Sequence, residues 1–337
     1  MTELNISQAS RESDSRDFHS RDITDPVLAR IGNTSLLPYP TSPAEGNINV
    51  KAEFENPTGS MKDRIAFGMV TLLEKRGVIS QGDLLVEASS GNTAGGLALV
   101  ANRRDYDAVI TAPIENSPQK LGYVEALGAE LVACPDVSAD DERYYRTEAK
   151  RIAEERNGVW LDQYTNQLNP EVHSRWTGPE LTDQYPDLTH VIAPMGTGGT
   201  MSGIAKWVKE YDSSITTIGV DAIESNISTA FDGETDGEHS TDVEGLGKGE
   251  KLPTMWFEYI DDVRSVSDAD SFRQARRAAN EHGILIGGSS GAALFVAHEI
   301  ATQDPDSEIA VLACDGGEQY FDTLFDDDWL ADRGYEF

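Results

Sequence analysis

Residues 56–64 read Asn56-Pro57-Thr58-Gly59-Ser60-Met61-Lys62-Asp63-Arg64. A run of alternating apolar residues, 48–54, precedes this stretch, and an apolar run, 65–73, follows it. The pattern predicts a strand, a tight turn and a helix that begins at Lys62. Helix amino termini carry unpaired N–H groups, and small turn residues let a planar ligand approach the backbone. Lys62 is therefore either an amine placed for Schiff-base chemistry or a solvated lysine in a surface turn.

The rest of the chain repeats this alternation of β-rich runs and amphipathic helical runs. We predict strands at 48–54, 83–88, 107–113, 130–135, 189–194, 216–222 and 308–314, and helices at 62–76, 92–104, 117–127, 139–156, 199–210, 269–282 and 291–302. We also expect an entry turn and strand over 31–37 and, because apolar residues are scarce there, a loop over 224–250. This alternation is typical of α/β architecture with parallel strands.

The composition excludes several classes of protein. The 337 residues, 39% of them hydrophobic, are enough for two packed domains, and no apolar run reaches the roughly 18 residues of a membrane span. Net charge is −32, from 59 acidic and 27 basic residues spread along the chain. This excess argues against nucleic acid and anionic membranes as partners and indicates a halophilic source.

The cysteines, the histidines and the first residues lead to three further expectations. Cys134 and Cys314 lie far apart in apolar, strand-like runs, which favours a reducing, cytoplasmic compartment over a disulfide. The six histidines show no ligand spacing, so we expect no metal site. Residues 1–25 are polar and acidic without an apolar segment, which predicts a disordered tail.

A second polar loop follows the predicted strand at 83–88. Its chemistry lies in four side chains, Ser89, Ser90, Asn92 and Thr93, at the start of the helix predicted at 92–104. Hydroxyl, amide and backbone N–H donors that converge on one helix amino terminus form a site for a carboxylate. A simple helix cap would account for one or two of these residues, but not for all four.

Two more loops of this kind occur later in the chain. One carries Gly196, Thr197, Gly198, Gly199 and Thr200 after the strand at 189–194, and the other carries Ser289 within 287–293. Glycine N–H groups and threonine hydroxyls can surround a phosphate, although the first loop lacks the Gly-Lys-Ser/Thr of a Walker motif. A tight turn with close helix packing is the alternative for the first loop, and a helix cap is the alternative for the second.

The loops have a common location. In a parallel sheet, the segments that follow the strands meet at the carboxyl edge, where ligands bind. A reactive lysine, a carboxylate site and a phosphate site would then face one crevice. A phosphorylated aldehyde that acts on amino acids satisfies all three, and that cofactor is pyridoxal 5'-phosphate.

The ordered motifs resemble those of the fold type II pyridoxal-phosphate enzymes, in the group of cysteine synthases and cystathionine β-synthases. The resemblance covers about 31–330 and rests on six segments: 31–34, 56–64, 90–93, 169–180, 196–200 and 287–293. It implies two three-layer α/β domains with mostly parallel twisted sheets, similar to tryptophan synthase β, and a cofactor in the cleft between them. The smaller, mobile domain would be 49–157, with Lys62 and the loop at 90–93. The larger domain would combine 26–48 with 158–337 and carry the phosphate loop.

The resemblance also implies a role for each matching residue. Lys62 would form the Schiff base and then act as general acid and base. Asn92 would hydrogen-bond the ring hydroxyl of the cofactor, and Ser289 would face its pyridine nitrogen. The phosphate would be held by Gly196, Thr197, Gly198, Gly199 and Thr200. The substrate carboxylate would be bound by Ser89, Ser90, Thr93 and Gln163.

The reaction implied by the resemblance is β-replacement through an aminoacrylate intermediate. A cysteine synthase would convert O-acetyl-L-serine and sulfide to L-cysteine and acetate. Residues 89–90 read Ser-Ser where cysteine synthases usually have Thr-Ser, and the segments 287–293, 315–320 and 325–330 lean toward cystathionine β-synthases. The open alternatives are therefore cystathionine β-synthase, serine/threonine dehydratase and a catalytically silent ligand-binding relative. The family also implies a homodimer, and a serine acetyltransferase is a candidate partner.

Overall fold

The structure, a computed structural model, describes residues 23–89, 91–114, 118–234 and 240–337. Residues 1–22 of the predicted tail therefore lie outside the described residues. Within these ranges, no helix is both long and apolar enough to cross a membrane.

The strands and helices alternate along most of the chain. The strands are β1 Leu36–Tyr39, β2 Asn47–Ala52, β3 Leu84–Ala88, β4 Asp107–Pro113, β5 Glu130–Cys134, β6 Val159–Trp160, β7 His190–Pro194, β8 Thr216–Ala222, β9 Asp262–Val266 and β10 Glu308–Ala313. The α-helices are α1 Lys62–Lys75, α2 Asn92–Arg103, α3 Pro118–Ala126, α4 Tyr145–Glu155, α5 Leu168–Val172, α6 Gly178–Gln184, α7 Gly199–Tyr211, α8 Ile227–Phe231, α9 Asp268–His282, α10 Gly288–Gln303 and α11 Asp327–Asp332. A π-helical turn, His173–Thr177, joins α5 to α6.

Two sheets organise these elements. The larger sheet has the order β1-β2-β10-β7-β8-β9, and the smaller has the order β5-β4-β3-β6. All neighbouring strands are parallel except β1 and β2. The prediction of mostly parallel sheets is confirmed.

Each sheet is covered by helices on both faces. In the larger sheet, Ile309 and Val311 of β10 pack in the core formed with α9 and α10, whereas Ala310 and Leu312 pack in the core that contains α7. In the smaller sheet, Leu85 joins the core of α1 and α2, while Val86 joins that of α4. Successive side chains of a strand point to opposite faces, so buried strands of this kind produce three layers.

Two strands cross the domain boundaries predicted from the sequence. β2 pairs with β10 of the larger sheet, although the predicted smaller domain begins at residue 49. β6 pairs with β3 of the smaller sheet, although that domain was predicted to end at residue 157. The sequence cannot reveal these assignments because a strand's partner depends on the whole topology and not on its local pattern.

Several elements differ from the prediction for local reasons. Helix α4 begins at Tyr145 instead of residue 139, because the Asp141 carboxylate accepts a hydrogen bond from the backbone N–H of Arg143 and forms a turn. The edge strand β9 was missed because it is short and carries charged residues. The prediction of a loop over 224–250 was wrong at α8, whose Ile227 is buried. The helices of 168–184 were missed because Pro170 and Pro179 interrupt their pattern.

Candidate active site

Most of the predicted site residues line one cavity of about 360 Å³. Those that line it are Lys62, Ser89, Asn92, Thr93, Gln163, Gly196, Thr197, Gly198, Thr200 and Ser289. Gly199 begins α7 beside the cavity without lining it, and Ser90 lies outside the described residues. The cavity therefore collects residues that are separated by up to 227 positions in the sequence, from Lys62 to Ser289.

Lys62 is the first residue of α1 and is held there by the turn before it. Its backbone N–H donates a hydrogen bond to Ser60 Oγ over 3.2 Å, and the N–H of Met61 donates to the carbonyl oxygen of Cys314 over 2.8 Å. Ser60 also forms an isolated β-bridge with Asp315. The turn is thus fastened to the end of β10, which fixes the origin of the Lys62 side chain in the cavity.

A buried group of charges anchors the same helix from behind. The Arg64 side chain is fully buried and donates to Glu53 Oε2 over 2.7 Å and to Glu180 Oε1 over 2.8 Å. Lys51 pairs with the same carboxylate of Glu180. Burial alone would raise the pKa of Glu180, but the charges and hydrogen bonds of Arg64 and Lys51 lower it. The group, defined here as the Arg64 cluster, links α1 to β2 and α6.

The predicted carboxylate loop combines residues from two parts of the chain. Thr93 donates from Oγ1 to Gln163 Oε1 over 2.7 Å, and both side chains are buried. The backbone N–H of Gly91 donates to Ser89 Oγ over 3.3 Å. The amide NH₂ of Gln163, the Ser89 hydroxyl and the amino terminus of α2 form a set of donors that suits an anion.

The predicted phosphate loop needs glycine for steric reasons. A Cβ atom on Gly196 would lie 2.2 Å from the Gly245 carbonyl oxygen, and one on Gly199 would lie 2.2 Å from Asn169 Oδ1. Gly198 has φ of 75°, which disfavours other residues. The hydroxyl of Thr200, which lines the cavity, lies 3.2 Å from His173 Nε2. Burial lowers the pKa of His173 well below its usual value, so the ring is neutral.

Sequence reasoning missed Asp315 and Tyr320 as residues of the cavity. Asn92 donates from Nδ2 to Asp315 Oδ2 over 2.8 Å, and Tyr320 donates its hydroxyl to the same oxygen over 2.6 Å. Both residues are buried and line the cavity with Ser289. The sequence did contain a signal for Asp315, because this residue directly follows the strand predicted at 308–314 and so lies at the carboxyl edge of the sheet.

Lys248 was also missed, because it falls in the region that was predicted to be a loop. It lines the cavity together with Glu244 and the tyrosines at positions 145 and 164. The cavity therefore holds a second ammonium group besides that of Lys62.

Glu87 lies beneath the carboxylate loop, at the end of β3. Its side chain is completely buried, Oε1 accepts from the backbone N–H of Ala88 over 2.9 Å, and Oε2 has no hydrogen-bond partner among the described residues. Burial raises the pKa of Glu87 to about 8, and the negative charge of Asp162 adds to the rise. The carboxyl is thus protonated in the folded protein at neutral pH.

This raised pKa predicts a pH-dependent cost in stability. From about pH 5 to about pH 8 the unfolded chain releases the Glu87 proton and the folded chain keeps it, so the free energy of unfolding falls by at most about 1.4 kcal/mol per pH unit. Glu87→Gln removes the titrating carboxyl and therefore its pH-dependent contribution to the free energy of unfolding. Denaturation at several pH values should show the variant gaining stability over the parent as pH rises. The matched control is Glu258→Gln at an exposed site. If the parent and Glu87→Gln curves run parallel, the carboxyl is ionised in the folded state.

Comparison with known proteins gives one consistent result. A profile of the family described as "Pyridoxal-phosphate dependent enzyme" matches residues 27–315. A cysteine synthase of Staphylococcus aureus is 38% identical over 287 residues, which are 83% of this chain and 90% of that protein. A cystathionine beta-synthase of Dictyostelium discoideum is 35% identical over 93% of this chain and 64% of its own length. Among solved structures, an O-ureido-L-serine synthase superposes with a TM-score of 0.83 at 27% identity, covering 92% of this chain and 99% of its own.

Proposed function

Because this chain belongs to the pyridoxal-phosphate dependent enzymes, we propose that it is a cysteine synthase that converts O-acetyl-L-serine and sulfide to L-cysteine and acetate. The observation that carries the proposal is that Lys62, the glycine loop at 196–200 and the Thr93–Gln163 pair border one cavity. A lysine, an anion site for the cofactor and an anion site for an amino acid are the three parts that this chemistry needs.

The described residues fit pyridoxal phosphate. The amides that precede Ser202 in the first turn of α7 have no intrahelical acceptor, and they lie beside the hydroxyls of Thr197 and Thr200 in a loop whose glycines leave no side chain in the way. These groups would hold the phosphate. Asn92 uses one N–H of its amide on Asp315 and keeps the second for the ring hydroxyl. Ser289 presents a neutral hydroxyl for the ring nitrogen.

The remaining chemistry follows from the chain's own residues. Bound pyridoxal phosphate would supply an aldehyde and a ring that stabilises negative charge at the α-carbon of an amino acid. Lys62 Nζ would take the α-proton and return it at the end of the reaction. The α-carboxylate would be bound by Ser89, Thr93 and Gln163, together with Ser90. Because a serine hydroxyl, unlike a carboxylate, does not hold the ring nitrogen protonated, this site favours loss of the β-group over transamination.

The carboxylate site would also control access of water. Its loop belongs to the smaller sheet, whereas the glycine loop belongs to the larger one. An amino acid that binds both the carboxylate loop and the cofactor would draw the two together and exclude water from the reacting β-carbon. Solution scattering with and without substrate tests this closure, and identical profiles would contradict it.

A panel of substrates tests the proposed reaction. Holoenzyme at high salt should form L-cysteine from O-acetyl-L-serine and sulfide with a higher kcat/KM than from serine, because acetate is a better leaving group than hydroxide. O-phospho-L-serine is the third donor of the panel. Cysteine formation and visible absorbance of the cofactor are measured together. A colourless protein that cannot be reconstituted would identify a silent relative, and preference for homocysteine over sulfide with every donor would exclude cysteine synthase.

Cystathionine β-synthase is the second candidate, and one finding favours it. The Dictyostelium discoideum relative aligns over 93% of this chain, compared with 83% for the Staphylococcus aureus cysteine synthase. In this case serine or an activated serine would react with homocysteine in the same cavity. The panel above distinguishes the two candidates by the preferred thiol.

The proposal extends to the setting of the enzyme. We infer a homodimer in the cytoplasm of a halophile, with a serine acetyltransferase as its partner. The net charge of −32 supports the saline habitat, since salt screens the repulsion within so acidic a chain. Sedimentation at high and low salt measures both the assembly and the salt requirement, and a monomer that is stable without salt would contradict both.

A further inference from the structure

Lys248 has a firmly held backbone at the wall of the cavity. Its N–H donates to Ser225 Oγ over 2.9 Å, and its carbonyl oxygen accepts from the N–H of Asn226 over 2.9 Å and from Ser225 Oγ over 3.0 Å. The N–H of the neighbouring Gly247 donates to the carbonyl oxygen of Met195 over 2.8 Å. The loop is thus fixed against the end of β7, and these hydrogen bonds hold the Lys248 backbone at the cavity wall.

The ammonium group of Lys248 lacks the partner that most cations of this protein have. Nζ lies 5.7 Å from the centre of the Tyr164 ring, and among the described residues no carboxylate forms an ion pair with it. Arg146 contacts the same ring at 4.5 Å, but it is paired with Asp162 over 3.3 Å. Glu244 and Asp315 line the same cavity, but among the described residues neither forms an ion pair with Lys248.

The surroundings of Lys248 favour an external anion. Burial lowers the pKa of Lys248, and the positive charges of Arg146 and Lys62 lower it further. A bound anion would offset this repulsion and favour the charged form of Lys248. The α-carboxylate and the cofactor phosphate already have their own sites in the proposed function, so the anion at Lys248 is a third group.

The position of Lys248 places this third group on the substrate side. Its ammonium contacts Tyr164, which directly follows Gln163 of the carboxylate site. We propose that Lys248 forms a subsite for an anionic group carried by a substrate beyond its α-carboxylate. The phosphate of O-phospho-L-serine and the carboxylate of an amino-acid thiol such as homocysteine are the two sources of this chemistry. The inference rests on the proposed β-replacement and adds a second class of substrate to it.

The test compares Lys248→Met and Lys248→Arg holoenzymes with the parent. The probes are O-phospho-L-serine with sulfide, O-acetyl-L-serine with homocysteine, and O-acetyl-L-serine with sulfide. Loss of a charged hydrogen bond should lower kcat/KM of Lys248→Met for an anionic probe, relative to the third pair, by about 10- to 100-fold, and Lys248→Arg should recover most of it. The probe that is affected identifies the source of the anion.

Lys251→Met is the matched control. Lys251 lies three residues further along the chain, is exposed, and rests over the Phe257 ring at 4.5 Å, but it does not line the cavity. Its replacement should leave the ratios between the probes unchanged. An unchanged ratio in Lys248→Met would overturn the subsite, and so would loss of pyridoxal phosphate from Lys248→Met, since the lysine would then serve the cofactor.

Calorimetric titration separates this inference from the proposed function. O-phospho-L-serine and homocysteine are titrated into parent and Lys248→Met holoprotein without a second substrate. Weaker binding of at least one probe to Lys248→Met supports the subsite even if no pair of substrates reacts, and equal binding of both probes overturns it. Absence of turnover with every pair counts only against the proposed function.

Discussion

Lys62→Ala should lose about 10³-fold or more of its β-replacement activity. The Lys62 amine can bind an aldehyde covalently and also transfer the α-proton, and general acid–base catalysis alone contributes about 10²- to 10⁴-fold. Its place at the start of α1 is fixed through Ser60 and Met61, so alanine should leave the fold intact. Turnover of O-acetyl-L-serine with sulfide is measured beside the thermal unfolding of both proteins.

Borohydride reduction followed by mass spectrometry provides the second measurement on Lys62. The parent protein should keep a pyridoxyl group on the peptide that contains residue 62, and Lys62→Ala should keep none there. Lys248→Met is the matched control because it removes the other lysine that lines the cavity, and it should still carry the label on Lys62. If the parent protein carries the pyridoxyl group on Lys248 instead of Lys62, or if Lys62→Ala keeps full activity, the assignment of the catalytic lysine is wrong.

The largest loss of stability is expected from Arg64→Met. The change leaves Glu53 fully buried and Glu180 nearly so, with Lys51 as their remaining cation in the Arg64 cluster. Breaking a buried ion pair by removing one partner costs about 3–5 kcal/mol, because the other charge stays desolvated without compensation. Urea denaturation at one fixed, high salt concentration measures the change in the free energy of unfolding.

The control for this prediction lies at the other end of the same helix. Arg76 follows the last residue of α1 and pairs with Glu171, and the two side chains are 24% and 22% exposed. Arg76→Met should therefore cost no more than about 1 kcal/mol. In the Arg64→Met background, Glu53→Gln should recover part of the loss since it removes a buried charge. Equal effects of Arg64→Met and Arg76→Met would show that the cluster is not held as a buried charged unit.

Loss of the Arg64 cluster should also lower catalytic activity, because it would loosen the start of α1. Arg64 is two residues from Lys62, and its partners belong to the turn that precedes α1 and to α6. A helix start that is free to shift would move the amine relative to the rest of the cavity, and small displacements of a catalytic group are costly. The sequence stretch at 56–64 thus contains both the proposed catalytic group and the anchor that positions it.

The parts predicted from the sequence share one property, which is that their signals are local. The helix start at Lys62, the alternation of strands and helices and the glycine loop at 196–200 are each encoded within about ten residues. The family and structural comparisons confirm the fold class and the pyridoxal-phosphate cofactor. The helices of 168–184 lacked a local signal because prolines interrupt their pattern, and their position depends on a distant element, since a Cβ atom on Gly178 would lie 2.7 Å from Trp207 Cβ.

The sequence by itself determined which chemistry this protein can support: a lysine at a helix start, an anion site for a carboxylate and another for a phosphate. Only the tertiary structure decided which side chains complete that site, among them Asp315 against Asn92, Gln163 against Thr93, and Lys248 at the cavity wall. The reason is physical. A turn or a helix start is specified by the conformational preferences of adjacent residues. Thr93 and Gln163, 70 positions apart, meet only because β3 and β6 are neighbours in one sheet, and Asn92 and Asp315, 223 positions apart, meet only because the two sheets come together at the cavity.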